Sequence, residues 1–149
     1  MGADSQRLAA DAVVPGSGTG PMLLLDAPLS FWGGFDSESG TVVEATHPQR
    51  GASLAGVVLM MERAKGSSSS SSVLAEAIRN GTGPVAIVMR ERDLIVGLGC
   101  IVASELYDIE VPIVVVDAAG WAALAAHGPK GVLRVEAGAG EGAAFVEIA

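Results

Sequence analysis

The sequence predicts a layered α/β domain with a partly parallel sheet. Three observations carry that expectation. Short, uniformly apolar runs such as GVVLMM and PVAIVM have the length and composition of strands buried on both faces. They alternate with segments whose apolar residues recur at helical spacing. The chain has 149 residues, half of them hydrophobic, which is enough for one domain with a sizeable core.

In chain order, residues 1–20 end in PGSGTGP and read as a mobile N-terminal tail, leaving 21–149 as the folded domain. MLLLD (22–26) is a short buried strand, and APLSFWGGFDSESG (27–40) a long loop with a paired glycine. TVVEA (41–45) is a second strand, which THPQRGASLAG joins to a third, GVVLMME (56–62). VLAEAIRNG (73–81) carries Val73, Leu74, Ala77 and Ile78 on one helical stripe, with Asn80-Gly81 as its stop. The alternation then repeats. PVAIVMR (84–90) is a strand, GCIVASELYD (99–108) a helix and VPIVVVD (111–117) a strand. AAGWAALAAHG (118–128) is an Ala-rich helix stopped by Gly128-Pro129, and GVLRVEA and AAFVEIA are closing strands. The flanking strands at both ends are expected to form a second, more barrel-like layer. No internal repeat is visible.

Composition excludes several function classes. Nine Lys plus Arg stand against 17 Asp plus Glu, a formal charge of −8. Phosphate neutralisation dominates nucleic-acid affinity, so this chain is not expected to bind nucleic acid. A single cysteine, Cys100, rules out an intramolecular disulfide and points to a reducing compartment. The N-terminal sequence lacks the charged and apolar regions of a secretory leader, and no apolar run approaches the roughly 18 residues that span a bilayer. The expectation is a soluble, cytoplasmic protein without a membrane partner. GLGCIVASE lacks the third glycine of a dinucleotide fingerprint.

The six serines Ser67–Ser72 sit between the strand ending near Glu62 and the helix that follows. In open α/β sheets ligands lie at the carboxyl ends of strands, beside helix N-termini. A glycine followed by small hydroxyl residues exposes N–H groups there, and the helix dipole adds partial positive charge. Such a loop can hold a carboxylate or phosphate while a hydroxyl faces the substrate. The alternative is that one serine caps the helix and the rest are filler.

PLSFWGGFDSESGTVVEATHPQRGASLAGVVLMM, then KGSSSSSSVLAEAI, then GPVAIVMRERDLIVGLGCIVASELYDIEVPIVVV together resemble the swivel domain of aconitase X over residues 21–120. The resemblance rests on an LSFWGG loop, a His-Pro segment, a Gly-Ser-Ser turn and a G-x-G-x-I-V-A segment in that order. It implies a swivelling β/β/α fold that closes over a large subunit carrying an iron–sulfur cluster, with no cofactor in this chain. It further implies a hydro-lyase subunit active only with that large subunit and acting on a small carboxylate. Two reactions are associated with the family: dehydration of cis-3-hydroxy-L-proline and of mevalonate 5-phosphate. An Ala/Gly-rich composition, and no cationic cluster beyond Arg63 and Lys65, favour the first. The alternative from a different class is a non-catalytic binding module that keeps the swivel fold.

By position the family's proton-abstracting serine falls on Ser67, after Gly66. The unbroken serine run keeps Ser68 in competition for that role. Gly66, Ser68 and Ser69 are expected at the substrate, with Ser30, Gly33, Gly34 and Asp36 of the LSFWGGFD loop lining the mouth. Trp32 reads either as part of that mouth or as an anchor in the core or at an interface. His47 suits a hydrogen-bonding role and Cys100 a buried one. One thiol cannot hold an iron–sulfur cluster, and no metal site is expected in this chain.

Overall fold

The computed structural model describes residues 6–128, 131–138 and 144–148. Three strands open the chain: β1 (Gln6–Ala9), β2 (Asp11–Val14) and β3 (Gly16–Leu24). One distorted turn, α1 (Phe31–Gly34), leads into the small hairpin β4 (Phe35–Asp36) and β5 (Thr41–Val42). Strands then alternate with helices: β6 (Val58–Met60), α2 (Ser70–Asn80), β7 (Ala86–Met89), α3 (Leu94–Tyr107), β8 (Ile113–Val115) and α4 (Ala118–His127). The chain closes with β9 (Val132–Ala137) and β10 (Ala144–Ile148).

The strand order is β1-β10-β9-β3-β6-β7-β8-β2. Strands β3, β6, β7 and β8 are parallel, as helical crossovers through α2 and α3 require. Strand β3 belongs to both halves of the sheet. Its first part, Gly16–Pro21, pairs antiparallel with β9, and its second, Met22–Leu24, pairs parallel with β6. The sheet therefore bends along β3 and folds one half over the other. The parallel strands are apolar on both faces because both are covered. Leu59, Ile87, Met89 and Ile113 pack with Leu74, Ile78 and Cys100 beneath α2 and α3. Val58, Met60, Val88 and Val114 pack with Leu133, Val135 and Val146 of the antiparallel half. The layers run β, β, α.

The mobile tail expected over residues 1–20 is corrected here for residues 6–20, which supply β1, β2 and the first half of β3; residues 1–5 lie outside the described residues. The glycines that suggested mobility serve close packing. A Cβ on Gly18 would run into the Val85 carbonyl, and one on Gly20 into the Gly56 carbonyl. Four strand expectations shorten: TVVEA to Thr41–Val42, GVVLMME to Val58–Met60, PVAIVMR to Ala86–Met89 and VPIVVVD to Ile113–Val115. Helix α3 starts at Leu94, five residues before the expected GCIVASELYD. Its start is fixed by Asp93, whose carboxylate accepts hydrogen bonds from the Ile95 and Val96 N–H groups, each at 2.9 Å. Helix α2 ends as its sequence indicates, with Gly81 in the left-handed region (φ 77°). Helix α4 ends at His127, and Pro129 lies outside the described residues.

Candidate active site

Two loops meet at the carboxyl ends of β3 and β6. Leu29 and Ala64 form a parallel bridge, and the Lys65 N–H donates to the Leu29 carbonyl at 3.2 Å. This brings the LSFWGG turn against the Gly66 end of the serine loop. Gly66 has φ 103°, a conformation only glycine adopts at little cost, and its backbone lies against the Ser30 side chain. The serine run passes from β6 into α2 with a tight first turn. The Ser70, Ser71 and Ser72 N–H groups donate to the carbonyls of Ser67, Ser68 and Ser69.

The serines are not equivalent. Ser67 is exposed, and its Oγ accepts a hydrogen bond from the Ser69 N–H at 3.1 Å. Ser70 is buried, and its Oγ accepts from the Trp32 N–H at 3.0 Å, stapling the two loops together. Ser71 Oγ donates back to the Ser68 carbonyl at 3.0 Å. Ser69 occupies the cap position of α2 but makes no side-chain capping bond. The N–H groups of Gly66, Ser67 and Ser68 have no hydrogen-bond acceptor among the described residues. They precede the first turn of α2, whose dipole adds partial positive charge there.

A pocket of about 110 Å³ opens on this loop, lined by Ala64, Lys65, Gly66, Ser67, Ser70, Asp93, Ile95 and Val96. Of the six serines, Ser67 and Ser70 line it, and Ser70 is committed to Trp32. Of the two, Ser67 is the exposed one. Lys65 places a cation at the wall, with its Nζ 3.1 Å from Glu44 Oε2.

The remaining expected site residues divide. Ser30 reaches the loop, although its Oγ is spent donating to the Trp32 carbonyl at 2.7 Å. Gly33 (φ 84°) is exposed in the turn beside Ser30. Gly34 is buried against Glu44 and Leu29, and its carbonyl receives the Val43 and Glu44 N–H groups. Asp36 does not join the site. The adjacent Ser37 carbonyl accepts from Asn80 and Thr82 at the far end of α2, about 16 Å along the helix from the serine turn. The Asp36 carboxyl is held below its usual range by the Ser39 hydroxyl and the Glu38 N–H, so it stabilises the hairpin turn. Ser68 and Ser69 are exposed beside the pocket without lining it.

Trp32 is 58% exposed, which removes the core reading. His47 is buried, and its Nδ1 accepts from the Gln49 N–H at 3.0 Å. Its Nε2 then carries the proton and donates to the Ala27 carbonyl at 3.1 Å, a loop-fixing role. Cys100 is buried beneath α3, and burial pushes its thiol up to about 12. Asp93, Ile95 and Val96 are pocket residues that sequence reading missed. The signal was present, since an Asp directly before an uncharged apolar run marks a helix start.

The model of the aconitase X swivel domain matches residues 7–142. The chain belongs to the aconitase X swivel domain family. Cis-3-hydroxy-L-proline dehydratase of Pseudomonas aeruginosa is 45% identical over 101 residues, covering 68% of this chain and 17% of that protein. The phosphomevalonate dehydratase small subunit of Thermococcus gammatolerans is 40% identical over 98 residues, covering 66% of this chain and 75% of the other. The crystal structure of Thermococcus kodakaraensis aconitase X in its holo-form superposes with a TM-score of 0.79 at 33% identity, covering 97% of this chain and 98% of that one. The swivel fold expected from the resemblance is therefore the observed fold. This swivel domain spans about a sixth of the length of the Pseudomonas dehydratase it matches.

Proposed function

We propose that this chain is the small subunit of an aconitase X type dehydratase acting on cis-3-hydroxy-L-proline, with Ser67 as the proton-abstracting base. The observation that carries the reading is the position of Ser67. This residue lines the pocket at the carboxyl end of β6, is exposed, and its Oγ accepts the Ser69 N–H. A serine hydroxyl is a weak acid and serves as a base only where its alkoxide is stabilised. That N–H donor and the α2 dipole both act in this direction.

In the proposed reaction the Ser67 alkoxide takes the proton from the carbon next to the substrate carboxylate. The electron pair of that C–H bond becomes a carbon–carbon double bond. The neighbouring C–O bond breaks, and its electron pair departs with the hydroxyl oxygen. The unsatisfied N–H groups of Gly66, Ser67 and Ser68 are suited to hold the carboxylate. Among the described residues no group of three or more His, Cys, Asp or Glu is placed to hold a metal ion. The one thiol is buried and protonated. These residues do not fit an iron–sulfur cluster, and the reading assigns one to the large subunit. No described helix is long and apolar enough to cross a membrane, and the reading places the complex in the cytoplasm.

A second reading has one observation in its favour. The relative reported above whose own length this chain largely covers is a phosphomevalonate dehydratase small subunit, at 75%. Against it, Lys65 is the single cation among the pocket residues and is already paired with Glu44. A phosphate dianion calls for more positive charge. Reconstituting the chain with a large subunit and assaying both substrates decides between them. The isolated chain should turn over neither substrate and show no iron–sulfur absorbance. Turnover by the chain alone would overturn the division of labour.

A further inference from the structure

Helix α3 is built inside out. Its buried face is made of small residues, Gly97, Gly99, Cys100 and Ala103, with Val96. Gly99 abuts Leu74 and the Ser71 carbonyl of α2, and Gly97 faces Val13 and Val14 of β2. The large apolar residues point the other way. Leu94, Leu98 and Ile101 recur at i, i+4 and i+7 and are 77%, 51% and 46% exposed. No charged residue interrupts Leu94–Ser104. A helix facing water in its working state would be expected to carry the reverse pattern, so this stripe marks a surface that is covered in use.

We infer that the exposed stripe of α3, together with Trp32, is the docking surface for the large subunit. The inference rests on the functional reading above. The occupant follows from continuity with the pocket. Asp93, Ile95 and Val96, at the cap and first turn of α3, line one wall of it. The backbone of Trp32 is tied to the same pocket, its N–H donating to Ser70 Oγ. Two exposed apolar side chains, Leu94 and Trp32, thus belong to segments joined to the serine pocket. A chain that covers the serine pocket therefore reaches both segments. Apolar anchors flanking a polar centre would also exclude water from the reacting hydroxyl.

The test is the affinity of the full chain for the aconitase X large-subunit protein encoded in the same genome, measured by isothermal titration. Leu98→Glu and Ile101→Lys replace exposed residues by good helix formers, and should leave the melting temperature of the isolated chain nearly unchanged. Each should weaken association roughly tenfold or more, the effect expected at the centre of an interface. Val132→Glu changes an exposed apolar residue on the antiparallel layer, across the sheet from α3, and should bind within about twofold of the unaltered chain. Equal binding by all four chains would overturn the assignment of this face. So would a stable homodimer of the isolated chain that Leu98→Glu dissociates, because the occupant would then be a second copy. If the unaltered chain does not bind the large subunit at all, the functional reading falls, and this inference with it.

Discussion

Gly66→Ala probes the joint between the two site loops. Two costs can be worked out. A non-glycine residue at φ 103° is held in a sparsely populated region, which costs about 1–3 kcal/mol. The new Cβ would also sit 2.7 Å from the Ser30 Cβ and against its Oγ, an overpacking cost of about 1–3 kcal/mol. Together they make roughly 2–6 kcal/mol by these principles. At about 2–4 °C per kcal/mol for a chain of this size, the melting temperature should fall by roughly 4–24 °C. Thermal unfolding followed by circular dichroism measures it. Adding Ser30→Gly removes the clash but not the backbone strain, so the double variant should recover about half of the loss. A Gly66→Ala protein within about 0.5 kcal/mol of the original, with no coupling to Ser30→Gly, would refute the loop geometry.

Two further outcomes follow from the structure. Asp93→Ala removes the acceptor for two N–H groups at the start of α3 and should cost about 1–2 kcal/mol in denaturant unfolding, whereas Asp93→Asn should cost only a fraction of that. Cys100 should resist alkylation at neutral pH until the chain unfolds. Its thiol is raised from 9.0 to about 12 by burial, so above about pH 9 the unfolded state loses a proton that the native state keeps. The stability contributed by the neutral thiol is therefore complete below about pH 9 and declines toward about 12, and Cys100→Ala should remove that part of the pH dependence.

The parts of the fold legible in the sequence were those whose local pattern and tertiary role agree. The apolar runs of β6, β7 and β8 read as buried strands because both of their faces are covered. The α2 stripe placed the serine loop at a helix N-terminus because Leu74, Ala77 and Ile78 do face the core. The first half of β3 was hidden because its glycines, Gly18 and Gly20, answer to neighbours distant in sequence, Val85 and Gly56. The start of α3 was hidden for a related reason. Its large residues face outward, so the first turns carry no core-facing stripe of large residues. At the site, Gly66, Ser67 and Ser30 were legible through their motif, whereas Asp36 was misplaced. Nothing local indicates that the chain after Gly34 runs along α2 to its far end.

The measurement that tests the central claim most directly is turnover of the reconstituted complex carrying Ser67→Ala, read beside Ser68→Ala. Loss of the Ser67 hydroxyl removes one turn-closing hydrogen bond, so stability should change by about 1 kcal/mol or less and subunit association should persist. The kcat should fall by roughly 10²–10⁴-fold, the range of a lost general base, with little change in KM. Ser68→Ala, which lies outside the pocket, should keep most of its kcat. Near-normal turnover by Ser67→Ala, with Ser68→Ala abolishing it, would contradict the assignment of the base and move it one residue along the chain.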